Sequence, residues 1–197
     1  IESYGDVFAK DLQDLKTIIT PYYYHINFEE GATPVNSRQY RYAPAMKKEI
    51  EKQIEEWKEA KLVEPSTSQW NSPLVLVRKK LVPGKEQTWR LCTDLRAVNT
   101  RIKTIHFPMP SFNDVTDAML ENPVNWFSAC DFRSGFHQIP LDEESRDITS
   151  FSFGAQKLRY RILPFGLKSS SFVFQNIISD IIGNRLLTSC AQIYVDD

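Results

Sequence analysis

Three carboxylates are the chain's best candidates for chemistry. Asp196 and Asp197 are adjacent, and Asp131 lies far upstream. The pair closes the apolar run from Ala191 to Val195. Adjacent acids at the tip of such a run are costly unless something cationic sits beside them. Asp131 likewise ends an apolar stretch, Trp126 to Phe132, just before Ser134-Gly135. A helix cap or turn would use an aspartate at that place equally well. The reading taken forward is that Asp131 joins the pair and that the three hold divalent metal. Paired aspartates are common by chance, so the surrounding sequence has to carry the case.

A second group of residues is basic. From Arg78 to Lys103 the chain has Arg78, Lys79, Lys80, Lys85, Arg90, Arg96, Arg101 and Lys103, against only Glu86 and Asp94. The first thirty residues lean acidic, and the net charge of -1 conceals both features. This asymmetry suggests one face built for anions. A solvated charged hairpin would account for the same charges.

The three cysteines, Cys92, Cys130 and Cys190, are far apart and show neither a CxxC nor a zinc spacing. They read as reduced core or near-core thiols of an intracellular protein. No apolar run is long enough to span a membrane, and no signal-peptide pattern is present, so secretion is not expected. Ile1 and Asp197 both read as cuts inside a longer chain. His25 stands alone and reads as a surface or packing residue.

A hydrophobic content of 42% with 25% charged residues predicts an ordinary folded core. Residues 1–42 carry two short helical hints, then Pro21, Gly31 and Pro34, and read as an extended leader or linker with little core of its own. Residues 43–197 hold the regular elements. Pro44 opens a helix to about Lys61, with Met46, Ile50, Ile54 and Trp57 on one stripe. Leu74 to Val77 reads as a buried strand that returns, after Pro83-Gly84, as Trp89 to Leu95. This first hairpin carries most of the basic cluster. Ser111 to Asp114 resembles a capping box for a helix to about Leu120, with Phe112, Val115 and Met119 inward. Trp126 to Phe132 reads as a strand, and Asp142 to Asp147 as a short helix. Thr149 to Phe153 and Leu158 to Leu163 form a second hairpin around Gly154. Ser169 to Ser171 cap a helix with Phe174, Ile177, Ile178, Ile181 and Ile182 on a wide apolar face, ended by Gly183. A last strand runs from Cys190 to Val195. The fold class expected is α+β.

The order of short motifs is more specific than any one of them. Trp70-Asn71-Ser72-Pro73 precedes Trp89-Arg90-Leu91-Cys92, Asp94-Leu95-Arg96 and Asn99. Asp131 follows, then Ser134-Gly135-Phe136-His137-Gln138-Ile139-Pro140-Leu141, Leu163-Pro164-Phe165-Gly166-Leu167-Lys168, Phe174-Gln175 and Tyr194-Val195-Asp196-Asp197. From about Thr33 onward this resembles the reverse transcriptase region of gypsy-type LTR retrotransposons, and more distantly that of retroviruses. The resemblance implies polymerase fingers and palm, with an antiparallel palm sheet and packed helices, incomplete at the C-terminus. It implies RNA-directed DNA polymerisation within a Pol polyprotein.

The chemistry matches the residue types. Adding a nucleotide to a primer 3′-hydroxyl needs in-line oxygens with their charge neutralised. Two Mg²⁺ ions, with Mn²⁺ as a substitute, would meet this need, and Mg²⁺ takes hard oxygen ligands. The resemblance makes Asp131, Asp196, Asp197 and the main-chain carbonyl of Phe132 the metal ligands, drawn from two neighbouring antiparallel strands. It makes Lys79 and Arg90 the grip on the dNTP triphosphate, with backbone amides of Arg133 and Ser134 beside them. Phe136 matches the aromatic gate that excludes a 2′-hydroxyl, and Phe165 and Gly166 would line the nucleotide pocket. Implied partners are an RNA or DNA template with its primer, dNTPs and the rest of the polyprotein, with no membrane. Implied locations are a cytoplasmic virus-like particle or the nucleus.

Two departures stand out. Ser169 to Val173 replaces the family's usual Asn-Ala-Pro-Ala-Thr, which puts the bulky Phe172 near the pocket. The sequence stops at Asp197, so primer grip, thumb and RNase H are expected to be missing and the fragment inactive alone. A catalytically dead remnant that only binds nucleic acid or a partner chain is the competing reading. An RNA-templated RNA polymerase is disfavoured by Phe136.

Overall fold

A computed structural model describes residues 22–81, 84, 87–105, 111–121, 126, 128–183 and 193. Mixed helices and antiparallel strands build two adjoining hydrophobic clusters, as an α+β fold requires.

Helix α1, Pro44–Glu59, places proline in its first turn, where a missing N–H costs nothing. Its buried stripe is Ile50, Ile54 and Trp57. Strands β2 (Leu74–Arg78) and β3 (Trp89–Thr93) form the first hairpin, with Val77 opposite Arg90 and Leu76 opposite Leu91. Gln53 on α1 holds the outer edge of β3. Its Oε1 accepts from the Leu91 N–H at 2.8 Å, and its Nε2 donates to the Trp89 carbonyl at 3.2 Å. The helix and the hairpin are therefore joined by side-chain hydrogen bonds.

The second hairpin is β4 (Phe151–Phe153) with β5 (Gln156–Tyr160), turned by Gly154 at φ +59°. Strand β1 (Val63–Pro65) adds to β5 and gives the sheet order β1-β5-β4. Trp57, Phe151 and Tyr160 pack ring on ring at 5.3–6.1 Å in this second cluster. Beside them lies a charged network. Arg159 donates to Glu64 and Asp147, each at 2.9 Å, and also to Glu143, while Arg146 donates to Glu143 at 2.8 Å.

The other cluster lies under α5, Ser170–Ile182, which buries Val173, Phe174 and Ile178. Residues 22–42 run extended along this part and add to it. Tyr24 and Ile26 are buried there, and the Tyr24 N–H and C=O bond to Pro140 and Asp142 in strand-like fashion.

Local capping follows the sequence in part. Ser111 and Asp114 exchange backbone and side-chain hydrogen bonds at the start of α3, Phe112–Glu121. Asp142 caps α4, Glu143–Arg146, by accepting from the Ser145 N–H at 2.9 Å. The Asp142 carboxyl is held below its usual range by hydrogen bonds from Ser145 and His25, which outweigh the opposing effect of burial. His25 is therefore a surface partner of this cap. Ser169, in contrast, does not cap α5 with its side chain, because its hydroxyl accepts from Tyr24 Oη at 2.9 Å instead. The Ser169 backbone is itself helical, at φ −92° and ψ −11°, whereas a capping residue normally sits in the extended region.

Two more expectations are corrected. Residues 126 and 128–132 form no strand, since a strand needs a neighbour to pair with and no described segment supplies one. Trp126 is 90% exposed. Cys130 is exposed, so the near-core reading fails for it; Cys92 is partly buried, and Cys190 lies outside the described residues. The expected final strand lies outside the described residues except for Ile193, which is buried and accepts a hydrogen bond from Gln175 on α5 at 3.2 Å.

Phe151 is fully buried between Trp57 and Tyr160, so Phe151→Ala is expected to cost about 3–5 kcal/mol of stability. Urea unfolding of the two proteins, compared at equal slope, measures it.

Candidate nucleotide site

Between the first hairpin and the turn that follows Asp131 lies a cleft of about 460 Å³. Its walls include Lys79 and Arg90 from the hairpin, Asp131, Arg133 and Ser134 from the turn, and Phe165. These six come from four separate stretches of sequence. Each was singled out from the sequence, and the fold brings all of them to one opening. Phe136 and Gly166, also singled out, are not among its lining residues; Phe136 packs on Phe165 at 5.2 Å, and Gly166 follows Phe165 in the chain.

The hairpin sets the position of the bases. Arg90 alternates with buried Leu91 on β3, so it points to the solvent side. Lys79 follows β2, and its N–H bonds to the Thr88 carbonyl at 2.9 Å, which keeps the hairpin closed beyond the last strand residue. The Arg90 guanidinium lies 5.8 Å from the centroid of the Phe165 ring. This contact holds a long, flexible side chain near one place without using any of its N–H donors.

The turn has its own geometry. Ser134 is left-handed at φ +49°, a conformation costing a non-glycine residue about 1–2 kcal/mol. It starts the 3₁₀ turn Gly135–Gln138. The Ser134 carbonyl accepts from the His137 N–H at 2.8 Å, and the Arg133 carbonyl accepts from Gln138 Nε2 at 2.9 Å. Gly135 admits the Phe174 ring, since a Cβ there would sit 2.8 Å from two of its atoms. An edge-to-face ladder results. Phe132 and Phe136 each pack on Phe174 at 5.5 Å, and Phe136 packs on Phe165 at 5.2 Å.

Two residues matter here that the motif reading left without a role. Asn99 ends α2, Arg96–Asn99. Its Nδ2 donates to the Gly166 carbonyl at 2.7 Å, and its Oδ1 accepts from the Lys168 N–H at 2.9 Å. It thus grips the loop that presents Phe165. His137 packs its ring 4.8 Å from Phe165 and is only 6% exposed. Burial, helped by the nearby Arg90 charge, pushes its pKa down to about 4. Both residues stood inside quoted motifs, but only tertiary contacts reveal what they touch.

Asp131 is exposed at the cleft. Asp196 and Asp197, the other expected metal ligands, lie outside the described residues, as does the strand expected to carry them. Among the described residues no three acids, histidines or cysteines cluster. The donors on hand at this cleft are still of the right kind. Asp131 and the Phe132 carbonyl offer hard oxygen, which suits Mg²⁺, and His137 is held against a ring.

His137 also makes a prediction about pH. Its folded pKa lies below the unfolded value of about 6.5, so the unfolded chain binds more protons between pH 6.5 and 4. The contribution is therefore complete above pH 6.5 and lost as the pH falls toward 4, by roughly 3 kcal/mol. His137→Phe should flatten the pH dependence of stability in this window relative to wild type. Equal slopes in denaturant titrations of the two proteins would contradict it.

The chain is similar to known proteins in sequence and in fold. The family described as reverse transcriptase (RNA-dependent DNA polymerase) matches residues 77–197. The Retrovirus-related Pol polyprotein from transposon 412 of Drosophila melanogaster is 38% identical over 195 residues, covering 98% of this chain and 15% of that protein. The corresponding polyprotein from transposon gypsy of the same fly is 32% identical over 169 residues, covering 83% of this chain and 16% of that protein. The chain thus spans about 15% of the length of these relatives. A foamy viral protease-reverse transcriptase, solved in complex with dsDNA, superposes with a TM-score of 0.71 at 27% identity, covering 90% of this chain and 35% of that one. With more than half of its length matched by the family, the chain belongs to the reverse transcriptases.

Proposed function

We propose that the protein containing this chain is an RNA-directed DNA polymerase of a gypsy-like retrotransposon Pol polyprotein, and that the cleft is its dNTP site. One observation carries the reading. Cationic Lys79 and Arg90 face Asp131 and the Ser134 turn across an opening roofed by an aromatic ring. A triphosphate needs bases, a metal needs carboxylate oxygen, and a nucleotide needs a flat apolar surface, and all three are within one cleft.

In this reading Arg90 grips phosphate oxygens bidentately and Lys79 adds a point charge. The Arg133 and Ser134 amides add donors where the left-handed turn exposes them. Phe136 is braced by Phe165 and Phe174, so it is a rigid floor under the sugar and excludes a 2′-hydroxyl. Phe165 lines the pocket, with Gly166 next to it in the chain. Asp131, Asp196, Asp197 and the Phe132 carbonyl hold Mg²⁺, for which Mn²⁺ can substitute. Two bound ions would lower the pKa of the primer 3′-hydroxyl and neutralise charge on the triphosphate. Template and primer are held through backbone and shape rather than base identity. The polyprotein acts inside the cell, in a virus-like particle or the nucleus.

Primer extension by the polymerase containing this chain tests the reading. Asp131→Asn should lower the rate by about a hundredfold or more, the scale seen when one charge-stabilising group is removed. Phe136→Ala should let rNTPs in while leaving dNTP use measurable. Extension unaffected by Asp131→Asn would refute the site. Salt-dependent binding of nucleic acid with no Mg²⁺-dependent extension would favour the inactive remnant instead.

A further inference from the structure

One buried polar ring in the cleft wall has no role in the proposed chemistry. His137 lines the cleft, yet its Nδ1 is buried and has no hydrogen-bond partner among the described residues. An unpaired buried nitrogen costs about 1–3 kcal/mol, so what this ring does here it does through its flat faces rather than through a hydrogen bond at Nδ1.

The contacts of the ring suggest a reason. Among the described residues, the Phe165 ring meets two other rings and one cation: Phe136 at 5.2 Å, His137 at 4.8 Å, and the Arg90 guanidinium at 5.8 Å. Phe136 is tied into the core through Phe174, which is 1% exposed. His137 is tied to the turn backbone by its N–H bond to Ser134. The two successive residues thus support the Phe165 ring, and Arg90 rests against that ring. A displaced Phe165 would leave the guanidinium without its platform and free to sample many rotamers. Arg90 itself is exposed, so little else restrains it.

We infer that His137 is a positioning residue for nucleotide binding, which fixes the Phe165 ring and through it the Arg90 guanidinium. The inference rests on the dNTP reading of the cleft. It differs from a general packing role in what it affects. A flat ring at position 137 is required, its nitrogens are not, and the consequence falls on nucleotide affinity rather than on turnover at saturation.

The test measures dTTP binding by calorimetry and steady-state primer extension, both in the polymerase containing this chain. His137→Leu should weaken dTTP binding and raise KM for dTTP by about tenfold, with kcat changed by less than about threefold. His137→Phe, which restores a flat ring, should recover most of that loss. Ile148→Val, a buried change in the core away from the cleft, controls for lost stability, and thermal unfolding checks that every variant is folded. An unchanged KM and affinity in His137→Leu would overturn the inference, as would His137→Phe behaving as badly as His137→Leu. A fall in kcat alone, or a Leu variant that does not fold while the Phe variant binds dTTP poorly, would also count against it. Failure of the wild-type protein to bind dTTP would sink the nucleotide reading itself, a result distinct from selective effects of position 137.

Discussion

The arrangement depends on the contact between Gly135 and Phe174. The turn after Asp131 lies on α5 only because position 135 has no Cβ. With one, the Phe174 ring would be met at 2.8 Å. Through that gap the ring reaches both Phe132 and Phe136, one on each side of the glycine. Aromatic pairs at such edge-to-face geometry add about 0.5–1.5 kcal/mol each beyond their buried area. More important is direction. The ladder runs from a fully buried ring in the core to Phe165 at the cleft, so the position of the nucleotide surface is set by core packing.

Charge is used in two distinct ways. On strand β5 and helix α4, Arg159 and Arg146 are mostly buried and neutralised by Glu64, Glu143 and Asp147. Those bases belong to the fold, and removing one partner would leave a costly charge. Within the basic cluster, Arg96 is paired with Asp94 at 2.6 Å, and Tyr40 donates to the same carboxylate at 2.9 Å. Arg96 holds that carboxyl well below its usual range, so the pair stays charged down to strongly acid pH. Among the described residues, Lys79 and Arg90 are in no ion pair of this sort. A run of basic residues is therefore several things at once, and only the unneutralised members can recruit a phosphate.

How much of this was legible in the sequence differs from element to element. Pro44 and the stripe Ile50, Ile54 and Trp57 announced α1 because a helix repeats every 3.6 residues and proline suits its first turn. The Ser111–Asp114 cap was legible because its two partners are three residues apart. Both hairpins were legible from alternation around a turn, although the second is shorter than its apolar pattern, since Ile162 makes only an isolated bridge with Pro140. The Ser169 cap was misread because its hydroxyl is taken by Tyr24, a partner 145 residues away. The apolar stretch before Asp131 looked like a strand, but an apolar run says only that a segment can be buried, while a strand also needs a neighbour with free backbone groups.

The sequence by itself determined the residue types and their order: the acids, the basic hairpin, the motifs around positions 134–141 and 163–168, and with them the family. Those properties are local or linear, and each can be read without knowing what lies across the chain. The tertiary structure alone decided that Lys79, Arg90, Asp131, Ser134 and Phe165 share one cleft, that Asn99 grips the 166–168 loop, and that His137 lies buried against Phe165. These facts depend on side chains far apart in sequence meeting at a few ångströms, and packing enforces such meetings only once the whole core has closed.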